Sequence, residues 1–519
     1  MRVRHLIISL LAAITGFASG QTSTLHTVEE NGPRSQRINI VFLSEGYTTA
    51  DLQSFAGHVQ TAVDFLFTRE PWQQYRSYCN VYRIEIASNE SGTDNGTGGG
   101  TKDTYFSTGF NTPTISQLLT LAGNGYSRAF TLLNHHVPEY HVPVVLVNDI
   151  KYGGAGGSIS TASVHGSSAA IMEHEIGHSF AGLADEYDTN YTQYTPGERP
   201  NNTAVTDPAQ IKWRDWFETS TPIPTPETTS YDAFVGLFEG SMYRTSGQYR
   251  PHNRSVMRFL NRPCGQVNRQ EFVLSYYEQV SPIESRTPSA SNQSADGPQT
   301  LNFAVMPKSP SSGMAMDVTW KLDGATLPGK TAATLDLVSD IAGNGSHTIT
   351  AEVHDPTPFV RNDPSGLLTD STSWTVTLTN QLPNTVISWR AEFGGDSENP
   401  SGDGLKNLIK YALGLDPDQA ATMRDHVQPG LTDASGASLS SESETENGDR
   451  YLTLTVPRRL RRMDVSSVVE VSSNLSDWFS GPPHTVTLVD TDTLLVVRDA
   501  TPLAPGERRF MRLRVTPTE

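Results

Sequence analysis

The length, charge and cysteine content of the chain narrow its class before any motif is considered. With 519 residues, the chain has room for about three or four domains. Its net charge of −18 disfavours binding to nucleic acids or anionic membranes, and its two cysteines exclude a disulfide scaffold. Cys79 and Cys264 could form one bridge outside the cell or remain two separate buried thiols, and the sequence leaves both readings open.

The first twenty residues have the pattern of a secretory signal peptide. A basic start is followed by an apolar stretch over residues 6–17 and by the small residues Ala18, Ser19 and Gly20. The apolar stretch is shorter than the roughly 20 residues that a membrane span needs, and nothing later in the chain is long enough. We therefore expect a secreted protein, extracellular, periplasmic or at the cell surface, without a membrane span.

Strands and helices alternate in the first half of the chain. The apolar patterns predict strands over residues 37–44, 81–86 and 142–148, and helices over residues 52–67, 114–122 and 169–180. This alternation predicts an α/β (α+β) domain. The third strand, with the glycine-rich residues 152–157 after it, is predicted to be an edge of the sheet that an extended substrate can pair with.

Changes in composition divide the second half of the chain, and period-two patterns make it largely β. A polar linker is predicted over residues 285–298, and an isolated helix over residues 405–413. The predicted domains are a signal peptide (residues 1–20), a catalytic domain (21–284), an immunoglobulin-like sandwich (285–382), a dockerin-like or EF-like helical segment (383–420) and a small terminal β-domain (421–519).

The sequence HEIGH at residues 174–178 has the spacing of a zinc-binding helix. His174 and His178 lie four residues apart, so they share one helix face and both can reach one Zn²⁺ ion. Glu175 can then act as general base for a zinc-activated water that attacks a peptide carbonyl. Because a catalytic zinc site has three protein ligands, we expect one zinc per chain with Asp185 as third ligand and Glu186 as its rival.

Several segments around this motif resemble one family in their order along the chain. They are INIVFLSEGYT, VNDIKYGGAGG, HEIGHSFAGLADEY and GQYRP. Together they resemble the IgA peptidase family of bacterial zinc metallopeptidases, metallopeptidase family 64, over roughly residues 36–280. The resemblance implies a zincin-like catalytic domain related to the metzincins, followed here by all-β accessory domains.

The same resemblance implies a methionine turn beneath the metal, and Met257 is the matching residue, with a packing role. Two features depart from the metzincin pattern: Asp185 lies one residue later than the usual third ligand, and Phe259 stands where several metzincins have a tyrosine. Oxyanion stabilisation must then come from another donor. Tyr249, Tyr243 and Arg250 are the candidates, and the sequence does not choose among them.

Near the C-terminal part, Asn399, Ser401 and Asp403 resemble the start of a calcium loop in dockerin-like repeats. Calcium needs a bidentate glutamate at the twelfth position of such a loop, and this chain has Lys410 there. We therefore predict that this segment is a structural helix without calcium.

These features together predict a secreted zinc-dependent endopeptidase that hydrolyses peptide bonds in a protein or peptide substrate. The C-terminal modules could also attach the protein to a cell surface. The alternative is a non-catalytic extracellular adhesion or glycan-binding protein with a degenerate zincin domain. The intact His174, Glu175 and His178 favour the enzyme.

Overall fold

The chain forms two compact units. The computed structural model describes residues 21–110, 115–191, 195–311, 313–383, 385–439, 449–458, 462, 464–491, 493–504 and 506–518. The first unit runs to Pro282 and also includes Lys308–Met316 and Asp355–Thr369; the second contains Ile283–Pro307, Asp317–His354 and the chain from Asp370 onward. The finer division of the chain into a signal peptide and four domains stays a prediction.

The first unit is a mixed α/β structure, as predicted. Its helices are α1 (Leu52–Leu66), α2 (Gly125–His136), α3 (Ser168–Ala181) and α4 (Gln266–Gln279). Its strands are β1 (Thr24–Glu29), β2 (Ile38–Glu45), β3 (Cys79–Glu85), β4 (Thr108–Phe110), β5 (Leu119–Leu121), β6 (Tyr140–Val147), β7 (Gly154–Ala155), β8 (Ser160–Ser163), β9 (Phe238–Ser241) and β10 (Arg244–Arg250).

Six of these strands form the main sheet, in the order β1-β3-β2-β6-β8-β7. The inner strands β3, β2, β6 and β8 are parallel, while β1 and β7 pair antiparallel at the two edges. All eight residues of β2 are buried because the sheet is covered on both faces. Alternate side chains of β2 therefore enter two different cores: Ile40 and Phe42 pack with α1, and Val41 and Leu43 pack with α2.

Two sequence predictions in this unit are wrong. The strand predicted at residues 142–148 exists as β6, but it lies inside the sheet, because β8 pairs beside it and β7 then forms the edge. The sequence STAS of β8 has no long apolar side chain that would have revealed a strand. The helix predicted over residues 114–122 is also absent from the described part, residues 115–122, where Leu119 and Leu121 alternate with Thr120 in strand β5, paired to β4. Helix α2 was not predicted.

Both cysteines are buried with free thiols. Burial raises the pKa of Cys79 and of Cys264. Of the two readings that the sequence left open, the structure therefore has the pair of separate buried thiols. No helix among the described residues is long and apolar enough to span a membrane.

The second unit is largely β. Its first strands are β11 (Ile283–Thr287), β12 (Asn292–Asp296), β13 (Thr300–Pro307), β14 (Asp317–Leu322), β15 (Ala325–Thr326), β16 (Thr334–Val338), β17 (Gly345–His354) and β18 (Thr369–Thr379). They form two sheets, β11-β13-β16 and β12-β18-β17-β14-β15. Phe303 of one sheet contacts Trp374 of the other with ring centroids 5.1 Å apart, and Trp374 stacks on Trp320. The immunoglobulin-like assignment itself stays a prediction.

The polar linker predicted over residues 285–298 is wrong, because β11 and β12 occupy most of it. In β12 only Ala295 is buried, and the strand is held by parallel pairing with β18. Backbone pairing of this kind leaves no apolar alternation in the sequence, so the strand could not be recognised.

The rest of the second unit begins with three short helices, α5 (Val386–Phe393), α6 (Asn407–Leu413) and α7 (Met423–His426). They are followed by β19 (Gln428–Thr432), β20 (Ser438–Leu439), β21 (Tyr451–Pro457), β22 (Val465–Ser472), β23 (Thr485–Asp490), β24 (Leu494–Asp499) and β25 (Phe510–Pro517). Helix α6 confirms the helix predicted over residues 405–413, whereas α5 was not predicted.

Lys410 of α6 is fully buried, and its ammonium is surrounded by oxygen atoms. Its Nζ lies 2.7 Å from Asp403 Oδ2 and 2.5 Å from Ser401 Oγ, and it donates to the carbonyls of Pro417 and Gln419 at 3.1 and 2.8 Å. Ser401 and Asp403 are the third and fifth positions of the calcium-like loop. The Lys410 ammonium therefore supplies the positive charge that the oxygen atoms of this loop would otherwise take from a bound cation.

We predict that the loop is stabilised by Lys410 and not by calcium. Replacing Lys410→Met should lower the midpoint of thermal unfolding, because Asp403 would lose its buried counter-charge. Chelation with EGTA should leave the wild-type melting of this unit unchanged. In Lys410→Glu, which places a carboxylate at the twelfth position, added Ca²⁺ should raise the melting midpoint.

The matched control is Lys406→Met, since Lys406 is exposed at the start of the same helix. It should melt like the wild type. A wild-type protein whose second unit is destabilised by EGTA would contradict the prediction.

His252 is a buried imidazole of the first unit. It is 2% exposed and packs under Gly265, where a Cβ would lie 2.7 Å from the ring. Burial, together with the charges of Arg269 and Arg250, lowers the pKa of His252 to about 3, although a hydrogen bond with Gln266 acts in the opposite direction. The imidazole is therefore neutral in the folded protein and gains a proton on unfolding at mildly acidic pH.

This difference predicts acid sensitivity. Between the unfolded pKa, about 6.5, and the folded value the unfolded state binds one more proton, so stability falls as pH is lowered through this range. His252→Gln should reduce the slope of unfolding free energy against pH by up to about 1.4 kcal/mol per pH unit. Urea unfolding at several values between pH 7 and 4 measures the slope. Replacing the exposed His135→Gln should retain the wild-type slope, and parallel curves for His252→Gln and wild type would contradict the prediction.

Candidate active site

Helix α3 carries three of the predicted site residues. It extends over Ser168–Ala181 and ends at Gly182, whose φ of 62° is the left-handed conformation that glycine adopts without strain. Within the helix, His174 and His178 are one turn apart, and their Nε2 atoms lie 3.1 Å from each other. The helical spacing predicted from the sequence is therefore present, with both imidazole rings directed at the same point.

Each imidazole is oriented through its second nitrogen. Nδ1 of His174 lies 3.0 Å from the carbonyl oxygen of Val256, and Nδ1 of His178 lies 2.8 Å from that of Leu183. A carbonyl oxygen can only accept, so each Nδ1 donates its proton, and the lone pair of the neutral form of each ring lies on Nε2. Both rings are thus held with Nε2 ready to bind a cation.

Asp185 completes a group of three donor atoms. Its Oδ1 lies 3.0 Å from Nε2 of His174 and 3.3 Å from Nε2 of His178. Burial would raise the pKa of Asp185, but the hydrogen bonds and charges of the two histidines hold it well below its usual range. The carboxylate therefore faces the two imidazoles in its charged form.

Glu186, the rival ligand, points away from this group. It is fully buried and accepts hydrogen bonds from Ser255 Oγ at 2.6 Å, Asn201 Nδ2 at 3.0 Å and Asn268 Nδ2 at 3.1 Å. Its backbone N–H also donates to the carbonyl of Met257 at 3.0 Å. Glu186 consequently anchors the chain next to Asp185, and its carboxylate is occupied by structural hydrogen bonds.

Glu175 shares the cleft with the two histidines. One of its carboxylate oxygens and one nitrogen from each imidazole lie within 4.8 Å of one another. Burial raises the pKa of Glu175, and the neighbouring charges of His174 and His178 lower it in part. A carboxylate with a raised pKa beside a cation site can accept a proton near neutral pH.

Met257 lies beneath α3 and is fully buried. A Cβ on Gly177 would lie only 2.7 Å from its Sδ atom, so the methionine fills the space directly under the helix between the two histidines. This contact agrees with the packing role implied by the family resemblance.

The donor atoms open into a cleft of about 490 Å³. Its lining includes Glu175, Gly156 of the rim that follows β7, and three residues that the sequence analysis did not single out, Tyr152, Tyr187 and Arg199. Tyr187 stacks on His174 with ring centroids 5.8 Å apart. The position of Tyr187 two residues after Asp185 could have suggested that it belongs to the site. Arg199 and Asn201 reach the neighbourhood of Asp185 only through the tertiary fold, so no signal in the sequence pointed to them.

The three candidates for oxyanion donor have different surroundings. Tyr243 lines the cleft, and its hydroxyl donates to Asp185 Oδ2 at 2.9 Å. Arg250 is fully buried and donates to the carbonyls of Glu239 and His252 and to the carboxylate of Glu227. Tyr249 packs against the core around Trp213 and does not line the cleft. Only Tyr243 is therefore at the site.

The donor set fits a zinc ion. Three ligands that bind one zinc tetrahedrally at about 2.0–2.1 Å lie about 3.3 Å apart. The three distances among His174, His178 and Asp185 are 3.0, 3.1 and 3.3 Å. Two imidazole nitrogens and one carboxylate oxygen are also ligand types that zinc commonly takes, with a further position left open toward the cleft.

Comparison with known proteins agrees with this chemistry. The family model described as IgA Peptidase M64 matches residues 27–232, a stretch that contains most of the main sheet, α3 and Asp185. No curated protein matches the chain in a sequence search. Residues 27–232, less than half of the chain, therefore match the IgA peptidase M64 family, a family of metallopeptidases, and this match confirms the resemblance found in the sequence.

Proposed function

We propose that this protein is a secreted zinc-dependent endopeptidase, with His174, His178 and Asp185 as zinc ligands and Glu175 as general base. The observation that carries the proposal is the convergence of two imidazole nitrogens and one carboxylate oxygen to within 3.0–3.3 Å of one another beside an open cleft. The match of residues 27–232 to a peptidase family supports the reaction class.

Zinc bound there would polarise the scissile carbonyl and lower the pKa of a water molecule. Residues of the chain orient the histidines and transfer the proton. The carbonyls of Val256 and Leu183 fix the tautomer of the two histidines. Glu175 accepts the proton of the attacking water and can return it to the leaving amine.

The edge of the main sheet is the proposed binding surface for the substrate backbone. Strand β7 pairs antiparallel with β8, and the N–H of Gly154 donates to the carbonyl of Gln117 at 3.2 Å. Since backbone groups alternate along a strand, the next outward-facing group beyond Gly154 belongs to Gly156. An extended peptide that pairs there would lie beside Glu175, in the geometry of strand addition to a sheet edge.

Gly156 has a steric reason to lack a side chain. A Cβ at this position would lie 2.9 Å from His178 Cβ and 3.0 Å from Glu175 Oε2. The rim can therefore approach the catalytic residues closely only because residue 156 is glycine.

Export is part of the proposal and is supported by the signal-peptide pattern of residues 1–20, which lie outside the described part of the chain. The substrate is a protein or peptide. Attachment of the C-terminal modules to a cell surface is a further proposal that rests on their forming a compact unit of their own.

One test of the proposed function concerns the general base. In Glu175→Gln, casein or gelatin cleavage should fall by about 10²- to 10⁴-fold, because proton transfer is lost while the zinc ligands are intact. Zinc content should remain one per chain by atomic emission. Treatment of the wild type with 1,10-phenanthroline should remove activity, and added zinc should restore it.

Glu218→Gln is the control, because Glu218 is exposed and outside the cleft. It should cleave like the wild type. Absence of zinc from the wild-type protein would contradict the proposed function. Zinc in both proteins with cleavage of a broad peptide library by neither would favour the non-catalytic binding protein instead.

Another test of the proposed function concerns the rim of the cleft at Gly156. Gly156→Ala should lower kcat/KM by about 10- to 100-fold, because the new methyl group must displace Glu175 or His178 from its position. Thermal stability should change little, since the residue lies at the surface of the cleft. Gly166→Ala is the matched control, because a Cβ there meets open space. Equal kcat/KM values for Gly156→Ala and Gly166→Ala would contradict the assignment of this rim to the active site.

A further inference from the structure

The turn between β9 and β10 has an unusual composition for its backbone conformation. Ser241 pairs with Arg244, so Met242 and Tyr243 are the two central residues of the hairpin turn. Their φ angles are 47° and 59°. Turns with positive φ at both central positions favour asparagine and glycine, because larger side chains are strained there. The surrounding structure must therefore hold this turn in place.

Backbone hydrogen bonds hold the turn against the chain that follows the third proposed ligand. The N–H of Met242 donates to the carbonyl of Asp185 at 3.0 Å, and the N–H of Tyr243 donates to that of Tyr187 at 2.9 Å. The N–H of Tyr191 in turn donates to the carbonyl of Tyr243 at 3.1 Å. The hairpin turn and the residues from Asp185 to Tyr191 thus form one hydrogen-bonded assembly.

The side chain of Tyr243 acts on the carboxylate itself. Its hydroxyl donates to Oδ2 of Asp185 at 2.9 Å, while Oδ1 of the same carboxylate faces the two histidines at 3.0 and 3.3 Å. The ring is flanked by Tyr187 and Tyr191, with centroids 5.7 and 6.2 Å away, which limits its rotation. The two oxygens of Asp185 therefore have different partners.

We infer that Tyr243 is a positioning residue for the third metal ligand: it holds Oδ2 away from the metal, so that Asp185 binds through Oδ1 alone and a coordination position stays open. This inference rests on the proposed function. From the sequence, Tyr243 is a candidate oxyanion donor. The structure gives it a different role, because its hydroxyl already donates its proton to Asp185. Among the described residues, Tyr152 and Tyr187 also line the cleft with phenol side chains, and they remain as candidates for the oxyanion role.

The test is the zinc affinity of Tyr243→Phe, measured by competition with a chromophoric chelator on the full mature chain. Loss of a hydrogen bond to a ligand typically weakens metal binding by about 10- to 100-fold. We expect an increase of this size in the dissociation constant. We also expect the Co²⁺-substituted variant to show weaker visible absorption than the Co²⁺-substituted wild type, as carboxylate binding through both oxygens raises the coordination number.

Tyr249→Phe is the matched control, since it removes a phenol hydroxyl from the same hairpin without touching Asp185. Its zinc affinity should equal that of the wild type. Wild-type zinc affinity and an unchanged cobalt spectrum in Tyr243→Phe, with reduced kcat, would overturn the inference and favour an oxyanion role. A wild-type protein that binds no zinc would overturn the proposed function and this inference together. Circular dichroism melting of each variant separates these results from misfolding.

Discussion

The candidate site depends on the way the chain reverses at the end of α3. His174 and His178 are placed by helical spacing, but the third donor must come back to the same point from outside the helix. The left-handed Gly182 ends the helix, and the N–H of Leu183 donates to the carbonyl of Gly177 at 3.0 Å. The carbonyl of Leu183 then accepts a hydrogen bond from Nδ1 of His178, so the same reversal orients one imidazole. It also places Asp185, three residues after Gly182, next to the two histidines.

The residues around this reversal make the position of Asp185 rigid. Glu186 is held by Ser255, Asn201 and Asn268, and Asn201 also bonds both backbone groups of Ala184. The hydrogen-bond partners of Glu186 come from three separate parts of the chain, so the tertiary fold fixes the position of its carboxylate. The residue next to the proposed ligand Asp185 is thus fixed by its own hydrogen bonds, which suits a site whose three donor atoms lie about 3 Å apart.

The two units handle buried negative charge in different ways. In the first unit, Asp185 faces two imidazoles whose Nε2 atoms can bind a cation from solution. In the second, Asp403 faces the buried ammonium of Lys410, which belongs to the chain itself. An open metal site retains positions for a substrate, whereas a tethered ammonium only stabilises the loop. The difference between the two units arises because histidines face Asp185 whereas a lysine faces Asp403.

The sequence by itself determined the local chemistry. The HEIGH spacing located His174, Glu175 and His178, the apolar patterns located β2, α1 and α3, and Lys410 marked the altered calcium loop, because these features are encoded within one or two turns of chain. Tertiary structure decided what depends on distant segments. It separated Asp185 from Glu186, made β7 the sheet edge in place of β6, turned the expected linker into strands β11 and β12, and brought Tyr243 to the carboxylate of Asp185. Those contacts join residues that are far apart in sequence, where neither periodicity nor spacing carries a signal, and only packing and the pairing of backbone groups select them.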